Sequence, residues 1–274
     1  MKDLNEKTDN KNFLARYLAS APVALALIRA MECRLMDHIP FANPILDMGC
    51  GDGLFASILF KGKTYIDCAI DRDETEVDHS YKKGVYRDIK IAEAEDLPFD
   101  DESFRYVLAN DLFAHIKTPR VALNEAWRVL RPDGYLCFTV PTLVPRFHLN
   151  VFTDFISGAA SQNLISLFNH NIKSYFRLNS MLKLQQWTKL LKESGFRVVH
   201  HRKYASLSAI CIQMITSFYL YRGSIYKKAI GRYIPFPEIH EKIITPITSW
   251  VLKSFYDDDS YDGENYLILA KKID

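Results

Sequence analysis

The chain has 274 residues, 48% of them hydrophobic and 25% charged, with a formal net charge of +2. This is the profile of a soluble globular protein of one or two domains, with a core large enough to stand without disulfides or metals. The near-neutral balance gives no global field that would call for nucleic acid or an acidic partner.

Residues 12–38 predict helix, because Leu14, Tyr17, Leu18, Val23, Ala26, Leu27, Ile28, Met31 and Leu35 recur at helical spacing. Pro22 should break this stretch into two pieces. Residues 1–39 are therefore expected as a helical segment ahead of a domain over 40–274. The opening MKDLNEKTDNKN is polar, with no signal-peptide core behind it. The five cysteines (Cys33, Cys50, Cys68, Cys137, Cys211) are odd in number and include no CxxC pair. They predict a reducing compartment and no zinc site, so the expected location is the cytoplasm.

Strands then alternate with helical patterns, the signature of an α/β fold with a doubly wound sheet. The expected strands are Ile45–Met48, Tyr65–Ile70, a weak one at Asp88–Ala92, Tyr106–Ala109, Tyr135–Val140, Phe196–His201 and Asn265–Lys271, the last of them antiparallel. Pro119–Leu130 predicts a helix followed by a turn at Arg131-Pro132-Asp133-Gly134. Residues 182–194 predict another helix, stopped by Gly195. Two segments do not fit the alternation. Residues 143–180 carry Phe147, Phe152, Phe155, Phe168, Tyr175 and Phe176, and residues 205–256 are again apolar and aromatic; both are expected as helical cap insertions. Tyr204–Tyr221 has no charged residue, but its Ser, Thr and Gln content argues for a buried or interfacial helix over a membrane span.

The most informative stretch is Pro44-Ile45-Leu46-Asp47-Met48-Gly49-Cys50-Gly51-Asp52-Gly53, followed by a helical Leu54–Phe60. A strand, a glycine loop and a helix in that order form a nucleotide-type pocket. The dinucleotide pattern G-x-G-x-x-G is not met, because Gly53 comes one position early and Leu54 takes the third glycine's place. Asp47 would repel a pyrophosphate but can hold a cationic amino group. An amino-acid-bearing, phosphate-free nucleoside fits this loop better.

The string Asp47-x-Gly49-x-Gly51-x-Gly53 resembles motif I of the class I S-adenosylmethionine-dependent methyltransferases. Three further segments resemble the ubiquinone-biosynthesis-like branch of that family, in order and at its spacing: Glu93–Phe104 (EAEDLPFDDESF), Asn110–Ile116 (NDLFAHI) and Leu123–Gly134 (LNEAWRVLRPDG). The likeness covers about residues 40–142 closely, 182–201 and 265–272 loosely, and neither insertion. Glu93 stands where the family usually has Asp, Ala114 replaces a frequent Glu or His, and Asp133 replaces a turn glycine.

The resemblance implies a Rossmann-like seven-stranded sheet, S-adenosyl-L-methionine as cofactor, and in-line methyl transfer to a nucleophile; the composition of the cap insertions suggests an O or N nucleophile of a small acceptor. The resemblance places Asp47 at the methionyl amino group, and Gly49, Cys50 and Gly51 against the cofactor through main chain. Asp71 would take the ribose hydroxyls, with Arg72 on the adenine face. Glu93 and the Ala94 N–H would read the adenine edge, and Asn110 would lie near the methionine portion, unless it caps the next helix. His115 is the candidate general base, with a structural helix residue as the plain alternative; His170 is a second candidate. The aromatic insertions point to an apolar or lipid-linked acceptor. Arg222, Lys227, Lys228, Arg232, Lys242 and Lys253 suit either peripheral contact with an anionic membrane through 205–256 or a solvated face. A non-catalytic cofactor-binding scaffold is the alternative to an enzyme, and a nicotinamide oxidoreductase is disfavoured by Gly53 and Asp47.

Overall fold

A computed structural model describes residues 12–141, 179–180, 182–258 and 265–273. His170 and the six named aromatics of the first insertion lie outside the described residues. Seven strands are present: β1 (Ile45–Met48), β2 (Ile66–Asp71), β3 (Tyr86–Ile91), β4 (Phe104–Asn110), β5 (Leu130–Val140), β6 (Phe196–Tyr204) and β7 (Asn265–Lys272). They form one sheet in the order β3-β2-β1-β4-β5-β7-β6. β2 with β3, β1 with β4, and β4 with β5 are parallel, whereas β7 runs antiparallel to β5. This is the predicted doubly wound seven-stranded sheet with an antiparallel last strand. The order reverses at β1 and β4, and ligands of such sheets bind at the carboxyl ends of the strands there.

All four residues of β1 are buried, as expected of a central strand covered on both faces. β3 buries only Ile89 fully, because it lies at the sheet edge. That explains its faint alternation in the sequence. β5 starts earlier than predicted: Leu130–Gly134 belongs to the strand, with Asp133 at φ 63° and a register shift opposite Phe104 and Tyr106. The Pro-Asp-Gly turn chemistry is thus used as a bulge inside the strand.

Close packing divides the chain into two units. The first takes in the described residues of 1–42, 50–91 and 204–263; the second takes in those of 43–49, 92–203 and 264–274. In the first, Pro22 does separate two helices, α1 (Phe13–Leu18) and α2 (Val23–Met36). The glycine loop leads into α3 (Leu54–Leu59), and β2 into α4 (Glu74–Tyr81). The sequence pattern misses α4 because only Val77 and Ser80 are buried in it. Its signal is a cap: the Asp73 carboxylate accepts from the N–H groups of Thr75 at 2.9 Å and Glu76 at 3.4 Å.

In the second unit, α5 (Pro119–Val129) and α6 (Leu184–Glu193) flank the strands. Trp187 of α6 is fully buried against Phe113 and Phe138, with ring centroids 5.9 and 5.5 Å away. Gly195 ends α6 at φ 79°; a Cβ there would come within 2.5 Å of the Trp127 indole nitrogen, so only glycine serves. The Trp187 Nε1–H has no hydrogen-bond partner among the described residues. Trp187→Ala should therefore lower stability by about 3–5 kcal/mol in denaturant titration. Trp187→Phe keeps the ring packing and gives up no hydrogen bond, so it should cost less than about 1.5 kcal/mol.

Candidate functional site

The predicted site residues fall in both units. Cys50, Gly51, Asp71 and Arg72 belong to the first; Asp47, Gly49, Glu93, Ala94, Asn110 and His115 belong to the second.

In the first unit, Asp71 closes β2 and is half-buried. Its Oδ2 accepts the Gly51 N–H at 2.8 Å and its Oδ1 accepts the Asp73 N–H at 3.0 Å. Each carboxylate oxygen thus takes one backbone donor and keeps acceptor capacity for a ligand hydroxyl. Arg72, next to it, is exposed.

The amides of the glycine loop are turned inward. Cys50 N–H donates to Ile70 O at 2.9 Å, Gly51 N–H to Asp71, Gly53 N–H to Cys50 O at 3.1 Å and Leu54 N–H to Asp52 Oδ1 at 3.1 Å. A phosphate cradle needs several of these donors pointing at the ligand. Here four of them are already committed, two to β2 and two within the loop. What it offers is close approach: Gly51 sits at φ 54°, and a Cβ built there would meet nothing within 4 Å. The loop therefore fits a nucleoside without a diphosphate, as the spacing predicts. Cys50 is buried, its Sγ 3.6 Å from Gly51 O and 4.0 Å from Ser80 Oγ, which suits packing and not nucleophilic chemistry.

In the second unit, Asp47 ends β1 one residue before its last and is 3% exposed, paired in register with Leu108 of β4. Gly49 stands at φ 81°, where a Cβ would lie 2.7 Å from Leu112 Cδ1. Glycine is required there on both counts. Asn110 ends β4, and its Oδ1 accepts from Thr139 Oγ1 at 2.8 Å, while Thr139 Oγ1 itself accepts the Asp111 N–H at 3.0 Å. Asn110 does not cap a helix, because the next helix begins only at Pro119. Thr139 of β5 fixes it instead.

His115 lies in the turn after β4 and not on a helix. Its Nε2 is 3.8 Å from Asp111 Oδ2, and its backbone oxygen accepts from Asn179 Nδ2 at 2.6 Å. Glu93 is exposed and Ala94 is buried, at the start of the loop running to Phe99. Arg128 of α5 anchors that loop, donating to Leu97 O at 2.9 Å and Phe99 O at 2.7 Å, and pairing with Glu125 at 2.8 Å and Asp101 at 2.9 Å. The Arg128 hydrogen bond, aided by the Leu97 N–H, holds the Glu125 carboxyl below the usual carboxylate value. This is the physical content of the Glu-x-x-Arg and Leu-Pro-Phe segments noted in the sequence.

A pattern described as a methyltransferase domain matches residues 46–138. The chain is 29% identical over 167 residues to a demethylmenaquinone methyltransferase of Clavibacter sepedonicus, a match covering 58% of this chain and 67% of that protein. It is 28% identical over 196 residues to the ubiquinone/menaquinone biosynthesis C-methyltransferase UbiE of Rickettsia prowazekii, covering 66% and 79%. Among solved structures, geranyl diphosphate methyltransferase in complex with S-adenosylmethionine superposes with a TM-score of 0.52 at 14% identity, covering 98% of this chain and 94% of that one. That last likeness is one of fold.

One supporting residue has no local signature in the sequence. Lys227 sits near the end of α7 (Leu207–Ile230) and only 12% of its side chain is exposed. Its Nζ lies 3.2 Å from Asp52 Oδ2, 2.7 and 2.9 Å from the Glu76 carboxylate, and 3.2 Å from the Tyr233 hydroxyl. Burial works against its charge, but Asp52, Tyr233 and Glu76 outweigh it and raise the Lys227 pKa. In sequence, Lys227-Lys228 at a helix end reads as a solvated pair, and its partners are 175 and 151 residues away (227 − 52 and 227 − 76). The Asp52 carboxylate also accepts the Leu54 N–H at the start of α3, so this ammonium holds the second insertion to the glycine loop. Lys227→Met should lower stability by about 1–3 kcal/mol, between the values for exposed and fully buried pairs, because it leaves two carboxylates facing each other. Lys227→Arg should lose less than half of that in the same chemical denaturation.

Proposed function

We propose that this chain, a class I S-adenosylmethionine-dependent methyltransferase, methylates a small, apolar, quinone-like acceptor. The glycine loop carries the donor half of the reading: four of its amides are committed to the protein, Gly51 leaves room, and Asp71 stands beside it with acceptor capacity. The acceptor half rests on the names of the relatives and on the apolar insertions.

When bound, S-adenosylmethionine supplies a methyl group on a positively charged sulfur. Asp71 binds the ribose hydroxyls and Arg72 covers the adenine face. Glu93 and the Ala94 N–H read the adenine edge. Asp47 neutralises the methionyl ammonium, and Gly49, Cys50 and Gly51 press main chain against the ligand. Asn110, held by Thr139, lines the methionine end. His115, with Asp111 beside it, takes the proton of an acceptor hydroxyl. A ring hydroxylate is nucleophilic at its oxygen and at the neighbouring ring carbon. The relatives named C-methyltransferases favour the carbon over the O or N atom that the sequence alone suggests. Charge would be neutralised as the methyl group moves, so a site from which water is excluded would favour the transfer. The basic residues of the insertion over 205–256 suit a solvated face or contact with a membrane surface. Among the described residues, no helix is long and apolar enough to cross one.

Radiolabelled S-adenosylmethionine offered with lipophilic hydroxylated quinones, polar phenols and amines tests this. Label should enter the lipophilic aromatic acceptors, on carbon. Label only in protein or nucleic acid, or no S-adenosylhomocysteine with any acceptor, would overturn it, the second result favouring a non-catalytic binding protein. Asp71→Ala should weaken S-adenosylhomocysteine binding at least about tenfold. His115→Ala should lower kcat by about 10²–10⁴-fold and leave that binding unchanged.

A further inference from the structure

Asp71 is gripped by two segments that meet only in space. Its Oδ2 accepts from Gly51, in the loop after β1, and its Oδ1 from Asp73, in the loop after β2. The direction of this carboxylate therefore depends on both loops. One residue after Gly51 stands Asp52, whose Oδ1 accepts the Leu54 N–H at 3.1 Å. Three residues after Asp73 stands Glu76, whose N–H reaches the Asp73 carboxylate at 3.4 Å. Each loop thus carries a second carboxylate, a short step of backbone from the donor that holds Asp71.

These two carboxylates converge. Asp52 Oδ2 and Glu76 Oε2 lie 3.2 and 2.7 Å from one atom, the Lys227 Nζ, and so within about 6 Å of each other. Both residues are half-buried, where water screens like charges poorly. Burial, and after it Asp52 and Asp71, hold the Glu76 carboxyl above its usual value although Lys227 draws it down. Without the ammonium the two loops would carry their charges apart. Lys227 is itself well fixed. α7 packs on α2. Its end closes on α4, where a Cβ on Gly231 would stand 3.2 Å from His79 Nε2. The Tyr233 hydroxyl lies 3.2 Å from the ammonium and the ring centroid 4.9 Å. Asp52, Asp71, Asp73, Glu76, Lys227 and Tyr233 all belong to the first unit.

We propose that Lys227 is a positioning residue for the cofactor: by holding Asp52 and Glu76 together it keeps Gly51 and Asp73 on Asp71, and so sets the affinity for the ribose of S-adenosylmethionine. The proposal rests on the reading of Asp71 as the ribose acceptor. It gives the second insertion a share in holding the methyl donor, and not only the acceptor.

Calorimetric titration of the full chain with S-adenosylhomocysteine tests it, well below the unfolding temperature and with each variant shown to be folded by circular dichroism. Lys227→Met should raise the Kd about fivefold or more. Lys227→Arg should lose much less, since a guanidinium can meet both carboxylates. Adding Glu76→Gln to Lys227→Met should recover part of the affinity, because one of the two like charges is gone. In an Asp71→Ala background, Lys227→Met should cost less than about twofold, because a residue acting through Asp71 has nothing left to position. Glu76→Lys, which opposes two ammonium groups at the same point, should give the same Asp71-dependent loss, so the test does not hang on one variant. An unchanged Kd in both Lys227→Met and Glu76→Lys overturns the proposal. So does an equal loss with and without Asp71, which is what general loosening of the fold would give. If Asp71→Ala by itself leaves the Kd unchanged, the cofactor reading of Asp71 falls and the proposal with it; if Asp71→Ala weakens binding and the two charge variants do not, the proposal falls alone.

Discussion

The hydrogen bond from the Gly51 N–H to the Asp71 carboxylate, at 2.8 Å, sets the terms for the rest of the site. It joins the glycine loop to the end of β2 and takes out of service an amide that a phosphate would need. It also aims a carboxylate that is not consumed by the bond, because each of its oxygens accepts one backbone N–H and has a second lone pair to offer. Together with the Cys50 N–H given to Ile70 O, it turns a generic nucleotide loop into one suited to a ribose and a phosphate-free linkage. Fold alone does not fix such a choice. Here the choice is made by where four backbone protons point.

The second insertion reaches this loop: Lys227 holds Asp52 and Glu76 together, and so ties α7 to both the start of α3 and the start of α4. Those two starts follow directly on Gly51 and Asp71. An ion pair buried among an aromatic ring and two carboxylates contributes less through net energy than through specifying one arrangement, since its desolvation offsets much of its attraction. The same insertion leaves Phe236, Ile247 and Trp250 exposed toward its C-terminal end.

Much of the frame was legible in the sequence because burial and chemistry coincide there. The fully buried β1, the Asp ending β2, Pro22 between two helices and Gly195 after α6 each leave a local mark. α4 left little, because a helix that buries two residues carries almost no period; its mark is the Asp73 cap. Arg131–Gly134 read as a turn and folds as a bulge, since the turn residues that let a chain reverse also let a strand kink. His115 does follow β4, whereas Asn110, expected just beyond the strand, is its last residue; their partners are illegible because Thr139 and Asn179 come from distant sequence. Lys227 was unreadable for the same reason: an ammonium that looks solvated in sequence becomes buried only when its carboxylates arrive from more than a hundred residues away.

The account turns on the loop at Asp47–Gly53 being a methyl-donor site and not a dinucleotide site. Isothermal calorimetry of the full chain with S-adenosylhomocysteine and, separately, with NAD measures this directly. Saturable heat with S-adenosylhomocysteine and none with NAD is the predicted result. Binding of NAD in preference to S-adenosylhomocysteine would contradict it, and would mean that the inward-turned amides of Cys50 and Gly51 do not decide the ligand.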